Sequence, residues 1–514
     1  MRVQRHLIPA GLTDDAWRSG SLVGVSIPGT PSRPHFDSDS ERALAPTLPE
    51  GTTAAPAFGS VSLAELEALA SATDGAVELA DLASFFRIEV GDADRAAVLR
   101  ILEDQTRFAS VWPESSVGPP PKMLEQTEVS AAMPASSQNG SLGINATSSQ
   151  VEIGTALIVD VEGGWGTNAA LPPIDDRRAP TAVNDLVPQI AQIWGLAGNE
   201  VDHWDASLRR HTRISHQGHG TAVLSLLVGK TGLGLVPNAT VRLVSTWRSS
   251  ALGPLSDIQT VRDALAFGSV FLSGRPSFTA RILLVEVQIR PFGMSGPFMP
   301  VESDPAICVL LAAASLAGID VVQAGGNGHS DLDTVEIDGT FPMNRNLGRH
   351  PSDSGSILVG AGTLAEEPGA TRISNYGSRI DVVCPGQGVL AAGDGWSGWE
   401  VTDAGRNVVY ANGDPMPFSG GINHFGGTSG ASAIAAAGVA RLRLTVPAIA
   451  SLTPIEMRAF LRKSGRPVAG GSSRATALDI TRIQAEAAKP TAVASARSEA
   501  TADRAVVADV VARK

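Results

Sequence analysis

Two cysteines in 514 residues leave no basis for a disulfide framework. Cys308 and Cys384 are each flanked by apolar neighbours and read as buried free thiols. Charge is also sparse. Charged residues make up 18% of the chain, below the ~25% of an average domain, and the net charge of −12 is acidic. A chain of this sign offers no attraction to phosphate backbones, so no nucleic-acid partner is expected. Long apolar runs are missing too. The longest, Ala306 to Ile319, falls short of the ~18 residues of a membrane span. The basic start, Met1 to Pro9, lacks the apolar stretch of ~7–15 residues that an export signal needs. A soluble, cytoplasmic protein away from membranes is the expectation. Hydrophobic residues at 43% exclude global disorder.

Composition divides the chain into five parts. Residues 1–50, rich in Pro, Ser and Gly, read as loosely structured. Residues 51–112 read as a small α/β unit. It opens with the capping box Ser62-Leu63-Ala64-Glu65 and an apolar stripe at Leu63, Leu66 and Leu69. Phe86, Ile88 and Val90 then alternate with Arg87 and Glu89 as a half-buried strand. A second helix is expected from about Asp94, with Val98, Ile101 and Leu102 on one face, and a short strand ending near Trp112. Residues 113–149, with Pro119-Pro120-Pro121, form a Pro/Ser-rich linker. The segment 486–514 is an Ala-rich tail in which Val506, Val507, Val510 and Val511 offer one short helix face.

Residues 150–485 form the large domain. Apolar strand patterns at Ala156–Val159, Val241–Ser245, Ile282–Val287, Ile319–Gln323, Ile357–Val359 and Ile380–Val383 alternate with helical ones. The helices are expected over Thr221–Gly229, Asp257–Phe267, Pro305–Ala317 and Ser429–Leu444, with a further capped helix at Thr453-Pro454-Ile455-Glu456 ending at Gly465. Wholly apolar strands alternating with helices predict an α/β, doubly wound, mostly parallel sheet covered on both faces. Ligands of such sheets bind beyond the carboxyl ends of the strands.

Polar residues fall where that rule places a site. Asp160 ends an apolar strand. His219 stands in Gly218-His219-Gly220-Thr221 at a helix start, and Ser429 in Gly427-Thr428-Ser429-Gly430-Ala431 at another. A serine hydroxyl becomes a nucleophile only when a base takes its proton, and the base needs an acid to fix its tautomer. Asn327, in Gly325-Gly326-Asn327-Gly328 after a strand, can donate to a developing oxyanion. Taken singly, these residues read equally well as strand cap, helix-start histidine, left-handed turn residue and N-cap.

Together, the segments resemble those of the subtilisin-like serine proteases, the subtilases, which carry their triad in the order Asp, His, Ser. Ser374-Asn375-Tyr376-Gly377 through Asp381 to Gly386, and Leu452–Gly465, are similar to further segments of that family. The resemblance covers about 150–485. It implies a serine endopeptidase acting on peptide or protein substrates without a cofactor or metal. Asp160, His219 and Ser429 would form its triad, and Asn327 would supply the oxyanion donor. The strand Ile282–Gln288, with Glu286 and Gln288, would flank the substrate groove. The 51–112 unit resembles the family's propeptide, an intramolecular N-terminal inhibitory domain.

Three departures stand out. Val161-Glu162-Gly163-Gly164 follows Asp160 where Ser or Thr and then Gly are usual; Ala433 replaces a usual Pro; and a long insertion with Trp194 and Trp204 separates Asp160 from His219. Other readings are weaker. An α/β-hydrolase would need a histidine after the serine, and the last one here is His424. His203, His211, His216 and His219 lack zinc-binding spacing. Asp331, Asp333 and Asp338 lack that of a calcium loop. The remaining rival is a catalytically weak, protease-like scaffold that binds peptides.

Overall fold

In this computed structural model the described residues are 21–26, 52–90, 97, 110–117, 154–163, 183–185, 204–205, 210–211, 213–229, 234–246, 248–250, 253–255, 257–290, 298–337, 341–347, 352–362, 374–386, 389–392, 400–403, 406–409, 421–468 and 475–512. The N-terminal module pairs β1 (Ser21–Ser26), β2 (Thr52–Pro56), β3 (Phe85–Val90) and β4 (Ser110–Pro113) in an antiparallel sheet of order β2-β3-β1-β4. Helix α1 (Leu63–Ser71) starts at the expected capping box, and the short α2 (Leu79–Ala83) follows it. Residues 1–50 are thus not wholly loose, because β1 runs between β3 and β4. Of the helix expected from Asp94, Val98, Ile101 and Leu102 lie outside the described residues.

The linker contributes β5 (Ser116–Val117), and the large domain begins with β6 (Ala156–Glu162). There follow β7 (Val183–Asp185), α3 (Arg213–Val228), β8 (Thr240–Ser245), α4 (Ile258–Ser273), β9 (Ala280–Val285), β10 (Gln288–Arg290), β11 (Met299–Pro300), α5 (Pro305–Leu316) and β12 (Asp320–Ala324). The domain closes with β13 (Ile357–Gly362), β14 (Val382–Pro385), α6 (Gly427–Thr445), α7 (Pro454–Ser464), β15 (Arg466–Pro467), β16 (Thr476–Ala477), α8 (Ile480–Ala487) and α9 (Pro490–Ala512).

Nine strands make the central sheet, in the order β15-β16-β14-β13-β12-β9-β6-β8-β7. All neighbours are parallel except the edge pair β15–β16. Each central strand buries both faces, as its unbroken apolar run requires. Ile158 and Leu284 pack with Ala222, Leu226 and Ile434 on the α3/α6 side. Leu157, Val159 and Leu283 pack with Val261, Leu265 and Leu310 on the α4/α5 side, in a core that also takes in Phe58, Leu66 and Leu69 of the N-terminal module. Cys308 and Cys384 are buried thiols, and burial pushes the Cys384 thiol up. Among the described residues no helix is long and apolar enough to cross a membrane.

The C-terminal segment is no tail. Helix α9 runs for 23 residues. It buries Val507 and Val511 against the α4/α5 core and is pinned by Arg458 to Asp503 at 2.9 Å and Arg462 to Glu499 at 2.5 Å. Arg458 belongs to a buried charge network around Arg379. The Arg379 guanidinium meets Glu302 at 2.6 Å and Asp381 at 2.7 Å with none of its side chain exposed. Removing one member of such a network leaves the others as unpaired buried charges. Arg379→Met should therefore cost about 3–5 kcal/mol, read as a lowered urea midpoint. A loss below ~1 kcal/mol would show that the network contributes no more than surface ion pairs do.

Candidate active site

Alternation along β6 puts Asp160 and Glu162 on the same face of the sheet. At the strand's carboxyl end Glu162 Oε2 lies 2.5 Å from His219 Nδ1, and its Oε1 accepts the Gly163 N–H at 2.6 Å. Both side chains are buried, so solvent does not screen the pair. An ionised carboxylate can only accept; Nδ1 therefore carries a proton and Nε2 is left as the basic nitrogen. Phe425 stands edge-on to the imidazole, with ring centroids 5.5 Å apart, and fixes its tilt.

Two placements differ from the expected ones. The carboxylate on the imidazole is that of Glu162, and Asp160 sits one pleat earlier, fully buried. His219 lies inside α3, not at its start. The signal for Glu162 was in the sequence: the small residue and glycine usual after the acid are Gly163 and Gly164, and they follow Glu162.

Asn327 follows β12 in a loop held by Asn375. The Asn375 amide donates to the carbonyls of Phe298 at 2.7 Å and Gly325 at 2.9 Å, and its Oδ1 accepts the N–H groups of Gly328 and Ser330 at 3.1 Å. Gly326 is left-handed at φ +91°, and a Cβ there would meet the Phe298 carbonyl at 2.6 Å. Asn327 itself avoids the left-handed region, so it is not a strained turn residue. Its Oδ1 accepts the Thr428 N–H at 2.9 Å, which leaves Nδ2 as the donor end of the amide. Gln288 Oε1 steadies Asn327 from the other side, accepting its backbone N–H at 3.0 Å and Nδ2 at 3.3 Å. Gln288, expected in the substrate groove, is thus a partner of Asn327.

Ser429 lies in the first turn of α6, whose N-cap is Gly426, so it is no capping residue. Gly427 is left-handed at φ +69°, with Asn327 Oδ1 only 3.0 Å from where a Cβ would stand. That close approach lets the helix start reach Asn327. Glu286, the other expected groove residue, is buried behind the serine, and its Oε1 lies 3.0 Å from Ser432 Oγ. Burial foremost, then the charges of Glu162 and Asp160, push its carboxyl well above the usual carboxylate range.

Among the described residues no three His, Cys, Asp or Glu side chains stand together as a metal site. Asp331 and Asp333 spend oxygens on the N–H groups of Asp333 at 3.1 Å and Ser378 at 2.9 Å. Asp338 and the side chains of His203, His211 and His216 fall outside the described residues.

Comparison with known proteins follows this geometry. No curated relative matches the chain in sequence. Among solved structures it is similar to the epidermin leader peptide processing serine protease of Staphylococcus aureus, at 12% identity and a TM-score of 0.53, over 91% of this chain and 99% of that one. Fervidolysin of Fervidobacterium pennivorans, a keratinolytic enzyme related to subtilisin, aligns over 92% of this chain and 62% of its own, at 13% identity and a TM-score of 0.47. The first of these likenesses supports the fold. The model of the subtilase family, peptidase S8, matches residues 195–485, more than half of the sequence. The chain therefore belongs to the subtilase family and is a subtilisin-like, serine-type endopeptidase.

Proposed function

We propose that this endopeptidase works through Ser429 as nucleophile, His219 as general base and Glu162 as the acid that orients the base, with Asn327 as oxyanion donor. The Glu162–His219 hydrogen bond at the end of β6 carries the reading. Ser429 Oγ attacks the scissile carbonyl carbon while its proton passes to His219 Nε2. The carbonyl oxygen becomes an oxyanion and accepts from Asn327 Nδ2. On collapse the C–N bond breaks and His219 returns the proton to the leaving amine. Water then attacks the acyl-enzyme by the same relay. Asp160, one pleat earlier on the same strand, adds a second negative charge near the pair.

The N-terminal module fits the role of an intramolecular inhibitor. Ser60 donates from its N–H to Asp263 Oδ1 at 3.0 Å and from its hydroxyl to the Asp263 carbonyl at 2.8 Å, fastening the module to α4. Beyond it, β5 pairs antiparallel with β10, Val117 beside Ile289 and Ser116 beside Arg290. The chain therefore runs from Arg290 toward Gln288, the partner of Asn327. A strand added at this edge mimics an extended peptide substrate. The tether holds it there at an effective concentration of ~mM.

Four outcomes are expected. A fluorophosphonate should label Ser429, and Ser429→Ala should abolish labelling. Glu162→Gln should lower kcat by about 10⁴, because it loses the acceptor that fixes the tautomer; Asp160→Asn should cost far less, and the reverse ranking would return the acid's role to Asp160. Asn327→Ala should lower kcat by about 10²–10³ with little change in KM, the loss measured for such a donor in a subtilisin. Intact mass should reveal a wild-type fragment beginning between residues 113 and 150 that is absent from Ser429→Ala. Full-length wild type that cleaves peptides freely would make the module an ordinary accessory domain.

A further inference from the structure

β9 and β6 pair in parallel with Val285 beside Val161, and the Glu286 N–H donates to the Val161 carbonyl at 3.2 Å. This register sets Glu286 alongside Glu162, on adjacent strands ~4.8 Å apart. Asp160 lies on the same face one pleat earlier. Like charges so placed, at 6% and 3% exposure for Glu286 and Glu162, do not both ionise cheaply. Glu162 is the one committed to the imidazole.

Hydrogen-bond accounting at Ser432 points the same way. Its hydroxyl has one hydrogen, yet three oxygens surround it: the Thr428 carbonyl at 2.7 Å, the Ser429 carbonyl at 3.0 Å and Glu286 Oε1 at 3.0 Å. Donation to Thr428, the shortest contact, leaves the Ser432 oxygen as an acceptor. Glu286 can satisfy it only if the carboxyl carries a proton. The other Glu286 oxygen, Oε2, is buried and receives no N–H or cationic donor among the described residues, as suits a neutral acid better than a carboxylate. The hydroxyl of Ser429 is also within hydrogen-bond reach of Glu286.

We propose that Glu286 is a proton-bearing positioning residue: as a neutral acid it donates to Ser432 and leaves the Ser429 hydroxyl to His219, and loss of its proton turns the site off. Once ionised, Glu286 can only accept, so it competes with His219 for the Ser429 proton. The groups that face it are Glu162 and Asp160 of β6, Ser429 and Ser432 of α6 and, across Glu162, His219 of α3. The burial and carboxylate neighbours that raise its titration support this role. The inference rests on Ser429 as nucleophile.

The experiment compares Glu286→Gln, which keeps a neutral donor of the same shape, with wild type. The kcat/KM of the wild type should fall on the alkaline side as Glu286 ionises. In E286Q that limb should vanish, raising the ratio of kcat/KM on the alkaline side to that at its maximum at least tenfold over wild type. A second measurement needs no activity. A proton held by the folded state and lost on unfolding makes stability fall as pH rises from the ordinary carboxylate range through the raised one, by up to tenfold in the folding constant per pH unit. E286Q should flatten that slope in urea unfolding. An unchanged alkaline limb or an unchanged slope overturns the proposal. Should Ser429→Ala keep its activity, the nucleophile reading falls, while the unfolding slope still reports whether Glu286 holds a proton.

Discussion

Parallel register between β6 and β9 is the constraint on which the site depends. It sets Glu162 and Glu286 at the same height on neighbouring strands, where two buried carboxyl groups compete for one negative charge. The hydrogen bond from the imidazole stabilises charge on Glu162. Glu286, beside Ser432 and the carboxylates of Glu162 and Asp160, has its carboxyl pushed up by burial and by those charges. One strand pairing thus gives two identical functional groups different surroundings, one on an imidazole and one beside a hydroxyl.

The Asn327 side of the site depends on the buried network around Arg379. Glu302 Oε2 accepts from Gln323 Nε2 at 2.8 Å, Ser356 Oγ at 2.9 Å and Arg379 at 2.8 Å. Gln323 lies in β12, just ahead of the loop that bears Asn327. Buried ionic groups of this kind add little net stability compared with apolar residues of equal size. Their effect here is geometric: the end of β12 is fixed before the chain enters the Asn327 loop. Asn375 then fixes the loop itself.

Much of this was legible in the sequence, for identifiable reasons. Six apolar runs marked the central strands because a strand buried on both faces has no polar alternation to disguise it. The capping boxes at Ser62 and Thr453 located two helix starts to the residue. His219, Asn327 and Ser429 stood out because flanking glycines mark where backbone approaches backbone. Asp160 was read as the acid although Glu162 holds the imidazole, because both carboxylates sit on one strand face and only register with α3 distinguishes them. β1 was missed because a six-residue strand amid Pro and Ser owes its existence to neighbours that are distant in sequence. Helix α9 was underestimated for a related reason: its Arg458 and Arg462 partners come from another helix.

The contact between the N-terminal module and the large domain has a feature that bears on release. Arg262 meets Glu114 of the linker, yet it also holds Asp304 at 2.6 Å within its own domain. Asp263 accepts from Ser60, and it also accepts from Gln259 at 3.2 Å. Asp257 receives Arg87 at 3.3 Å while capping α4 through the Thr260 N–H at 2.9 Å. On the other side Arg87 and Glu114 pair with each other at 3.3 Å. Separation would therefore strand no buried charge on either partner, which removes the several-kcal/mol penalty that normally locks an ionic interface. The opposing term is apolar: Phe58, Leu66 and Leu69 share one core with Val261 and Leu265, and parting exposes both sides to water. Hydrophobic area thus holds the module on the large domain, while the doubly partnered charges set its register.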